Sequence, residues 1–333
     1  MEPLRGKYGP PAALAKAAQS RSWPSRILTA APVWCSVDLR DGNQALPHPM
    51  DLKRKRMLFD LLIEIGFKEI EIGYPSASQT DFDFVREVIK GGVPEDVTIQ
   101  VLAPCREELL QRTLESLQGA KKAIINFYHG PSPLERELVF QQTKEQMLES
   151  AVRTAQLLKD GSWEGVRFEY SMSGWNETEP EYAMELCEAV MGALRPTPQT
   201  PLVLNLPATV ERSTPNTYAN QIEDFCRELE LRNRRAESVV SVHPHNDRGT
   251  AVAAAELALL AGADRVEGCL FGEGERAGNV DLVTLALNCQ KRGIDPKLDF
   301  GDLERIASTV EQCNRLPVDK NHSYIPYRAK TPI

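Results

Sequence analysis

The chain has 333 residues, of which 42% are hydrophobic and 26% charged, a composition that supports a large buried core and excludes a disordered or fibrous protein. Acidic residues outnumber Lys and Arg by 47 to 39, which gives a net charge of -8 and argues against a general nucleic-acid or anionic-membrane partner. No run approaches the roughly 18 consecutive apolar residues of a membrane span. Seven scattered cysteines without a Cys-x-x-Cys pair indicate reduced thiols and a cytoplasmic protein.

Residues 1–30 form a predicted N-terminal arm. Prolines punctuate an Ala-rich stretch whose charges are mostly basic, so a packed domain does not start there. A transit peptide would also be basic, which makes a mitochondrial protein the alternative to a cytoplasmic one. Glu2 and the repeated prolines favour an extended arm on the surface of the following domain.

From Val33 onward, eight short apolar runs alternate with eight charged stretches that have apolar residues at helical spacing. The predicted strands are 33–37, 69–72, 97–102, 123–127, 165–170, 202–206, 239–242 and 265–270. The predicted helices are 51–65, 82–89, 107–117, 143–158, 181–194, 217–231, 249–260 and 279–289. This order predicts a closed (β/α)8 TIM barrel over residues 31–300, followed by a short helical tail over 301–333.

An open doubly wound sheet also alternates strands and helices, and its dinucleotide-binding form carries Gly-x-Gly-x-x-Gly after the first strand. Here the first strand is followed by the sequence DLRDGNQ at residues 38–44. We therefore prefer the barrel.

A barrel carries its chemistry on the loops at the carboxyl ends of its strands, and these positions are polar in this sequence. They supply Arg40, Asp41, Glu71, Asn126, Tyr128, His129, Glu169, Asn205, Thr209, His243 and His245. The sharpest signal is the pair His243 and His245, because residues two apart on a strand point the same way and can place two imidazoles on one ion. Asp41 supplies a hard third ligand, and Zn, Mn and Mg all remain possible.

Arg40 is a candidate for stabilising the negative oxygen that develops on a polarised carbonyl, because it adjoins the metal carboxylate. Glu169 and Glu71 are either paired structural carboxylates or groups that orient a ligand or a base. The glycine-rich segment 272–278 precedes a helix and predicts an anion site, which in a barrel is often a phosphate site.

Five motifs carry a resemblance to the acyl-CoA:2-oxo acid condensing barrels, the 2-isopropylmalate and homocitrate synthase family, and in particular to its long-chain 2-isopropylmalate synthases. They are DLRDGNQ at 38–44, GYPSASQTDFD at 73–83, NLPATVE at 205–211, HPHNDRG at 243–249 and EGCLFGEGERAGNV at 267–280. They occur in order through roughly nine-tenths of the chain.

The resemblance implies a Claisen condensation of acetyl-CoA with 3-methyl-2-oxobutanoate, in leucine biosynthesis, by a homodimer. It implies that Asn279 completes the metal site of Asp41, His243 and His245, and that Arg40 and Glu169 are catalytic. It further implies that Gln44, Asn126, Tyr128 and Thr209 bind substrate. Coenzyme A would contact the loop through Gly272, Gly274, Glu275, Arg276 and Gly278.

The sequence departs from the family pattern at the acceptor side and at its end. Ser171, Met172 and Ser173 stand where the family usually has Ser-Pro-Glu, and Asn126 replaces a usual histidine. The chain ends at Ile333, before the family's Ser-Gly-Ser-His segment and leucine-binding domain, so we expect no leucine feedback. His322 is a poor substitute for the catalytic histidine of that segment. The alternatives are a homocitrate- or citramalate-type synthase, an aldol or lyase enzyme on the same metal site, and a catalytically deficient fragment that only binds metal and 2-oxo acid. For the chain as it stands we expect a competent binding site with weak condensation of acetyl-CoA.

Overall fold

The computed structural model describes residues 21–325, and its centre is a closed barrel of eight parallel strands in the order β1 to β8. The barrel closes where β1 pairs with β8, from Val33 beside Arg265 to Ser36 beside Gly268. The strands are β1 (Val33–Ser36), β2 (Glu69–Gly73), β3 (Thr98–Pro104), β4 (Ala123–His129), β5 (Val166–Met172), β6 (Leu202–Ala208), β7 (Ser238–Pro244) and β8 (Arg265–Gly268).

A helix follows each strand, and a ninth helix follows the barrel. The helices of ten or more residues are α1 (Leu52–Ile65), α2 (Gln79–Gly91), α3 (Glu107–Ser116), α4 (Lys144–Asp160), α5 (Pro180–Leu194), α6 (Pro215–Leu231), α7 (Ala251–Ala261), α8 (Leu282–Lys291) and α9 (Leu303–Asn314). The predicted (β/α)8 barrel is therefore confirmed. Within residues 21–325, no helix is long and apolar enough to cross a membrane.

Local sequence signals fix where the helices begin and end. Asp51 caps α1 by accepting a hydrogen bond from the backbone N–H of Arg54, and Gly66 ends that helix with a φ of 112°. Thr143 and Gln146 form a reciprocal capping box at the start of α4. These caps explain why the predicted helices start within a few residues of the observed ones.

Strand β8 is shorter than predicted, because the chain leaves the sheet after Gly268 and turns at Leu270–Gly272. A side chain at position 268 would lie 2.5 Å from the carbonyl oxygen of Val280. The glycine thus lets the segment after the turn pass close to the strand end. This close approach brings Asn279 next to β7, where it pairs with His245.

The barrel interior is charged where most barrels are filled by branched aliphatic side chains. Arg265 on β8 is 1% exposed and donates to Glu69 on β2 at 2.6 Å, Glu267 at 2.8 Å and Gln100 on β3 at 2.8 Å. It also lies 3.1 Å from Glu169 on β5. The aliphatic core lies instead between the sheet and the helices.

The described part of the predicted arm, from Arg21, packs on α6. Glu223 accepts hydrogen bonds from the backbone N–H and hydroxyl of Ser22 and from the backbone N–H of Trp23, at 2.6 to 2.9 Å. Arg21 forms a bidentate pair with Asp224, at 2.7 and 3.0 Å. Residues 1–20 of the predicted arm and 326–333 of the predicted tail lie outside the described residues.

Candidate metal and substrate site

The side chains of Asp41, His243 and His245 meet at the carboxyl end of the barrel. Each offers a ligand atom, and these atoms all lie within 4.8 Å of one another. Asp41 Oδ2 is 3.5 Å from His243 Nε2 and 3.9 Å from His245 Nε2. The two imidazole rings stack, with centroids 5.3 Å apart and planes 14° apart, as expected for alternate residues at the end of one strand.

Asn279 and Glu267 hold this group in place. The Asn279 amide donates to Asp41 Oδ2 at 2.8 Å, and its Oδ1 lies 2.7 Å from His243 Nε2. Glu267 Oε2 lies 2.8 Å from His243 Nδ1. A carboxylate on the outer nitrogen of a ligand histidine fixes the ring and raises its basicity.

The residues present fit a divalent cation. Burial opposes ionisation of Asp41, but the charge of Arg40 and the contact with His243 hold the pKa of this carboxyl well below its usual range. Burial lowers the pKa of His243, and Asp41 with Glu267 raises it to about 10, so both carboxylates favour a positive charge at this point. His245 Nδ1 is buried without a hydrogen-bond partner within the described residues. Two imidazoles, a carboxylate and an amide suit Zn, Mn or Mg.

Arg40 lies on the π-helical turn Asp38–Gly42 that follows β1. Its Nε donates to Glu71, and its Nη1 donates to Asp41 Oδ1 at 2.5 Å. Burial would lower the pKa of Arg40, but Glu71 and Asp41 raise it above its usual range. The guanidinium is therefore a fixed cation, and Glu71 is the group that orients it.

A cavity of about 200 Å³ opens beside the predicted metal ligands. Besides Arg40, Asp41, His243 and His245, it is lined by the predicted residues Gln44, Asn126, Tyr128, Thr209 and Glu275. Their substrate-binding roles stay predictions, but the structure brings them to one place.

Sequence reasoning missed Tyr74, whose hydroxyl lies 3.4 Å from the hydroxyl of Tyr128 on the same cavity. Ser171 and Ser173, which the sequence analysis names at the acceptor side, also line this cavity. Tyr74 directly follows β2, where a barrel places functional residues.

Glu169 lies deeper than the cavity. Ser171 faces the cavity, and its hydroxyl donates to Glu169 Oε1 at 3.2 Å, while Arg265 lies at 3.1 Å on the other side. Burial and the neighbouring Glu267 raise the pKa of Glu169 well above its usual range. The catalytic role of Glu169 stays a prediction.

The glycines of the segment 272–278 serve the folding of the loop itself. A Cβ at Gly278 would lie 1.9 Å from the carbonyl oxygen of Gly272, and one at Gly274 would lie 2.3 Å from Asn279 Nδ2. Arg276 donates to Asp247 at 2.6 Å and to the Thr209 carbonyl at 2.5 Å.

Within this loop, Glu275 reaches the cavity and accepts from Gln44 at 3.2 Å. Contacts of Gly272, Gly274, Glu275, Arg276 and Gly278 with coenzyme A stay predictions.

Fold and site together define a (β/α)8 barrel with a candidate metal centre at its carboxyl end. The family model described as HMGL-like matches residues 31–310, and the chain belongs to this family. It is 54% identical over 321 residues to a 2-isopropylmalate synthase of Rhodospirillum rubrum, covering 95% of this chain and 56% of that protein. It is 55% identical over 312 residues to one of Corynebacterium glutamicum, covering 91% and 50%. The chain thus spans about half the length of these relatives.

Solved structures agree in fold. An HMG-CoA lyase from Acinetobacter baumannii in complex with coenzyme A and 3-methylmalate superposes with a TM-score of 0.71 at 18% identity, covering 92% of this chain and 99% of that one. The hydroxymethylglutaryl-CoA lyase of Pseudomonas aeruginosa gives 0.69 at 20% identity, covering 87% and 95%. At these identities, the likeness concerns the barrel alone.

Proposed function

We propose that this barrel condenses acetyl-CoA with a 2-oxo acid, and that 3-methyl-2-oxobutanoate is the first acceptor to test. One observation supports the proposal most directly: Arg40 lines the same cavity as the three candidate metal ligands Asp41, His243 and His245. The name of the relatives supports it, because 2-isopropylmalate contains an acetyl unit joined to that acid. We further propose a cytoplasmic homodimer.

Asp41, His243, His245 and Asn279 would hold the divalent cation. When bound, the cation supplies Lewis acidity toward a chelating 2-oxo acid. The condensation joins the acetyl methyl carbon to the ketone carbon, so the methyl loses a proton and the ketone oxygen becomes a hydroxyl. Arg40 stabilises the negative charge on that oxygen, because its guanidinium is held on two sides and needs no reorganisation. Hydrolysis of the thioester then releases the thiol of coenzyme A.

The proton of the acetyl methyl needs an aligned base, since a methyl beside a thioester is weakly acidic. Glu169 is our first candidate, but it would have to act through Ser171, which separates it from the cavity. We therefore propose a competent binding site with turnover below the ordinary range of about 1 to 10³ per second. A Glu169→Gln variant then shows whether this carboxylate carries the proton.

The test measures release of coenzyme A thiol from acetyl-CoA with a panel of 2-oxo acids, in Mg²⁺, Mn²⁺ or Zn²⁺, and identifies the product by mass spectrometry. Arg40→Lys should lose at least about 100-fold in turnover while retaining metal, because a point charge cannot replace the planar fork. Arg56→Lys is the matched control, since Arg56 lies on the surface of α1 and pairs with Asp60. Absence of thiol release with every acid, in a protein that binds metal, would contradict the proposed condensation.

A further inference from the structure

A second carboxylate lies behind the wall of the cavity beside the candidate metal centre. Glu135 ends the short helix Pro133–Glu135 in the loop between β4 and α4. Its Oε1 accepts a hydrogen bond from the hydroxyl of Ser173 at 2.7 Å, and its Oε2 accepts one from the hydroxyl of Ser132 at 2.7 Å. Ser173 lines the cavity together with Arg40 and the three candidate metal ligands. A single hydroxyl therefore links the Glu135 carboxylate to the cavity.

Two glycines leave the room that this carboxylate occupies. A Cβ at Gly130 would lie 2.5 Å from the carboxyl carbon of Glu135, and one at Gly174 would lie 2.5 Å from its Oε2. A side chain at either position would thus displace the carboxylate. The backbone N–H of Gly174 also donates to the hydroxyl of Thr209 at 2.9 Å. The turn after Ser173 is therefore fixed to a second residue of the cavity wall.

The contacts of Glu135 go beyond those of a helix cap. A serine followed three residues later by a glutamate forms a capping box when the glutamate accepts from the backbone N–H of the serine. Ser132 does cap the short helix, because its hydroxyl accepts from the backbone N–H of Glu135 at 3.3 Å. Within the described residues, however, the Glu135 carboxylate accepts from the hydroxyls of Ser132 and Ser173. Capping does not require the second contact, which joins residues 38 positions apart.

Glu135 is better suited to accept a proton than Glu169. Each is one serine away from the cavity, Glu169 through Ser171 and Glu135 through Ser173. Burial and the neighbouring Glu267 raise the pKa of Glu169 well above its usual range, so this carboxyl retains its proton. Glu135 is only half-buried and can exchange a proton with water. Two hydroxyls that donate to it match an ionised carboxylate, which has no proton to donate.

We propose that Glu135 accepts the proton of the acetyl methyl group through the hydroxyl of Ser173. This inference rests on the proposed function and names the groups that carry its proton. The methyl proton passes to Ser173 Oγ while the hydroxyl proton passes to Glu135 Oε1, and the electron pair of the C–H bond forms the bond to the ketone carbon. The ketone oxygen takes the negative charge beside Arg40 and then receives a proton from water, to which Glu135 returns its own. Ser173 contacts the substrate, and Glu135 is a positioning residue that acts through it.

The sequence supports this exchange of roles. Ser173 stands where the family usually has a glutamate, and Glu135 supplies a carboxylate to the same point from another loop. A path through a hydroxyl is less direct than a carboxylate in the cavity itself. It agrees with the low turnover proposed above.

The test measures thiol release from acetyl-CoA with 3-methyl-2-oxobutanoate for the unsubstituted chain, Glu135→Gln and Ser173→Ala. Because a positioned base typically contributes 10²- to 10⁴-fold in rate, we expect each variant to lose at least about tenfold in kcat. The metal content and the KM for either substrate should change by less than about threefold, since the relay acts on the chemical step. A smaller loss of kcat in either variant, or a loss that appears mainly in KM, would overturn the inference.

Two further variants separate the relay from a structural role of the loop. Glu137→Gln is the matched control, because Glu137 is exposed in the adjoining turn Arg136–Phe140; its kcat should stay that of the unsubstituted chain. Ser173→Glu in the Glu135→Gln background returns a carboxylate to the cavity wall. We expect this double variant to regain at least about tenfold in kcat over Glu135→Gln. No gain in a double variant that still binds the metal would overturn the inference.

Proton exchange distinguishes failure of this inference from failure of the proposed function. Mass spectrometry follows the uptake of deuterium from D₂O into the acetyl methyl group with the 2-oxo acid present. If this uptake needs Glu135 and Ser173 while no 2-oxo acid releases thiol, the condensation fails and the relay stands. If Glu135→Gln releases thiol as fast as the unsubstituted chain, the condensation stands and the relay fails. Absence of both deuterium uptake and thiol release in the unsubstituted chain would overturn both.

Discussion

His243 is held at both ring nitrogens before any ligand arrives. Glu267 lies on Nδ1, and Asn279 Oδ1 lies on Nε2. This preorganisation predicts one divalent cation per folded chain. Substitution of His243 by Ala should weaken metal affinity by more than the roughly 10- to 100-fold that loss of an outer partner causes. Elemental analysis after dialysis and competitive titration with a chelator give the measurement.

His48→Ala is the control for the metal experiment, because His48 is exposed on the loop before α1. It should leave the metal content at that of the unsubstituted protein. An unchanged content in both variants would show that the cation, if bound, uses another site.

His129 ends β4 with its side chain turned away from the cavity. Its Nε2 lies 3.1 Å from the carbonyl oxygen of Met147, and its Nδ1 lies 3.2 Å from the hydroxyl of Tyr170. Burial lowers the pKa of this imidazole from its ordinary value of about 6.5 to about 4. Below pH 6.5 the imidazole of His129 takes up a proton in the unfolded chain but stays neutral in the native chain. Acid therefore favours unfolding.

This shift predicts that His129 contributes a loss of roughly 3 kcal/mol in the free energy of unfolding between pH 7 and pH 4. His129→Gln should remove this part of the pH dependence while keeping polar contacts. Urea unfolding midpoints at a series of pH values measure it, with His48→Gln as the exposed control. Parallel curves for the native chain and His129→Gln would contradict the assignment.

At the scale of elements, the arm is held on α6 by Glu223 together with the pair of Arg21 and Asp224. Glu223 is 8% exposed and accepts three hydrogen bonds from Ser22 and Trp23. Glu223→Leu leaves those donors unpaired and should lower the free energy of unfolding by about 1 to 3 kcal/mol. It should also speed proteolytic cleavage within residues 21–32. Glu228→Leu on the exposed side of α6 should change stability by less than about 0.5 kcal/mol.

The sequence predicts the order of elements because each apolar run and each amphipathic stretch follows its own period, two in the strands and 3.6 in the helices. It misses the end of β8, where the sequence Gly-Cys-Leu-Phe stays apolar although the chain turns at Leu270. That turn depends on the contact between Gly268 and Val280. A tertiary contact of this kind leaves no mark on local hydrophobicity.

Some features of the candidate site can likewise be predicted from the sequence, and others depend on the tertiary structure. Two histidines at alternate positions predict the metal group without knowledge of the fold, because strand geometry alone makes them neighbours. The depth of Glu169 below Ser171 is set by the tilt and stagger of the strands around the barrel, which no spacing within β5 contains. The glycines at 274 and 278 predict an anion loop from sequence, and that role stays a prediction. The structure adds that Gly278 packs against the backbone of Gly272 and that Gly274 packs against the side chain of Asn279.

At the scale of the whole molecule, the charged interior joins the strands through one side chain. Arg265 contacts groups on β2, β3, β5 and β7 as well as its own strand, with Ser241 on β7 at 2.8 Å. Glu71 and Glu267 then connect this layer to Arg40 and His243 at the cavity floor. The network that closes the barrel is thus the one that orients the candidate site.

Arg265→Met tests this connection. Removal of the guanidinium leaves Glu69 and Glu267 as buried carboxylates without their central cation, so the free energy of unfolding should fall by about 3 to 5 kcal/mol at pH 8. Arg265 lowers the pKa of Glu69, Glu169 and Glu267. Its removal therefore raises the pKa of these carboxyls, so they take up protons more readily as the pH falls and the loss shrinks. Chemical unfolding at pH 8 and pH 5.5 should therefore show the larger destabilisation at pH 8. Arg305→Met breaks an exposed pair with Glu64 and should cost less than about 0.5 kcal/mol at both values. A loss for Arg265→Met as small as that control, or one that grows toward acid, would show that the interior carboxylates do not depend on this arginine.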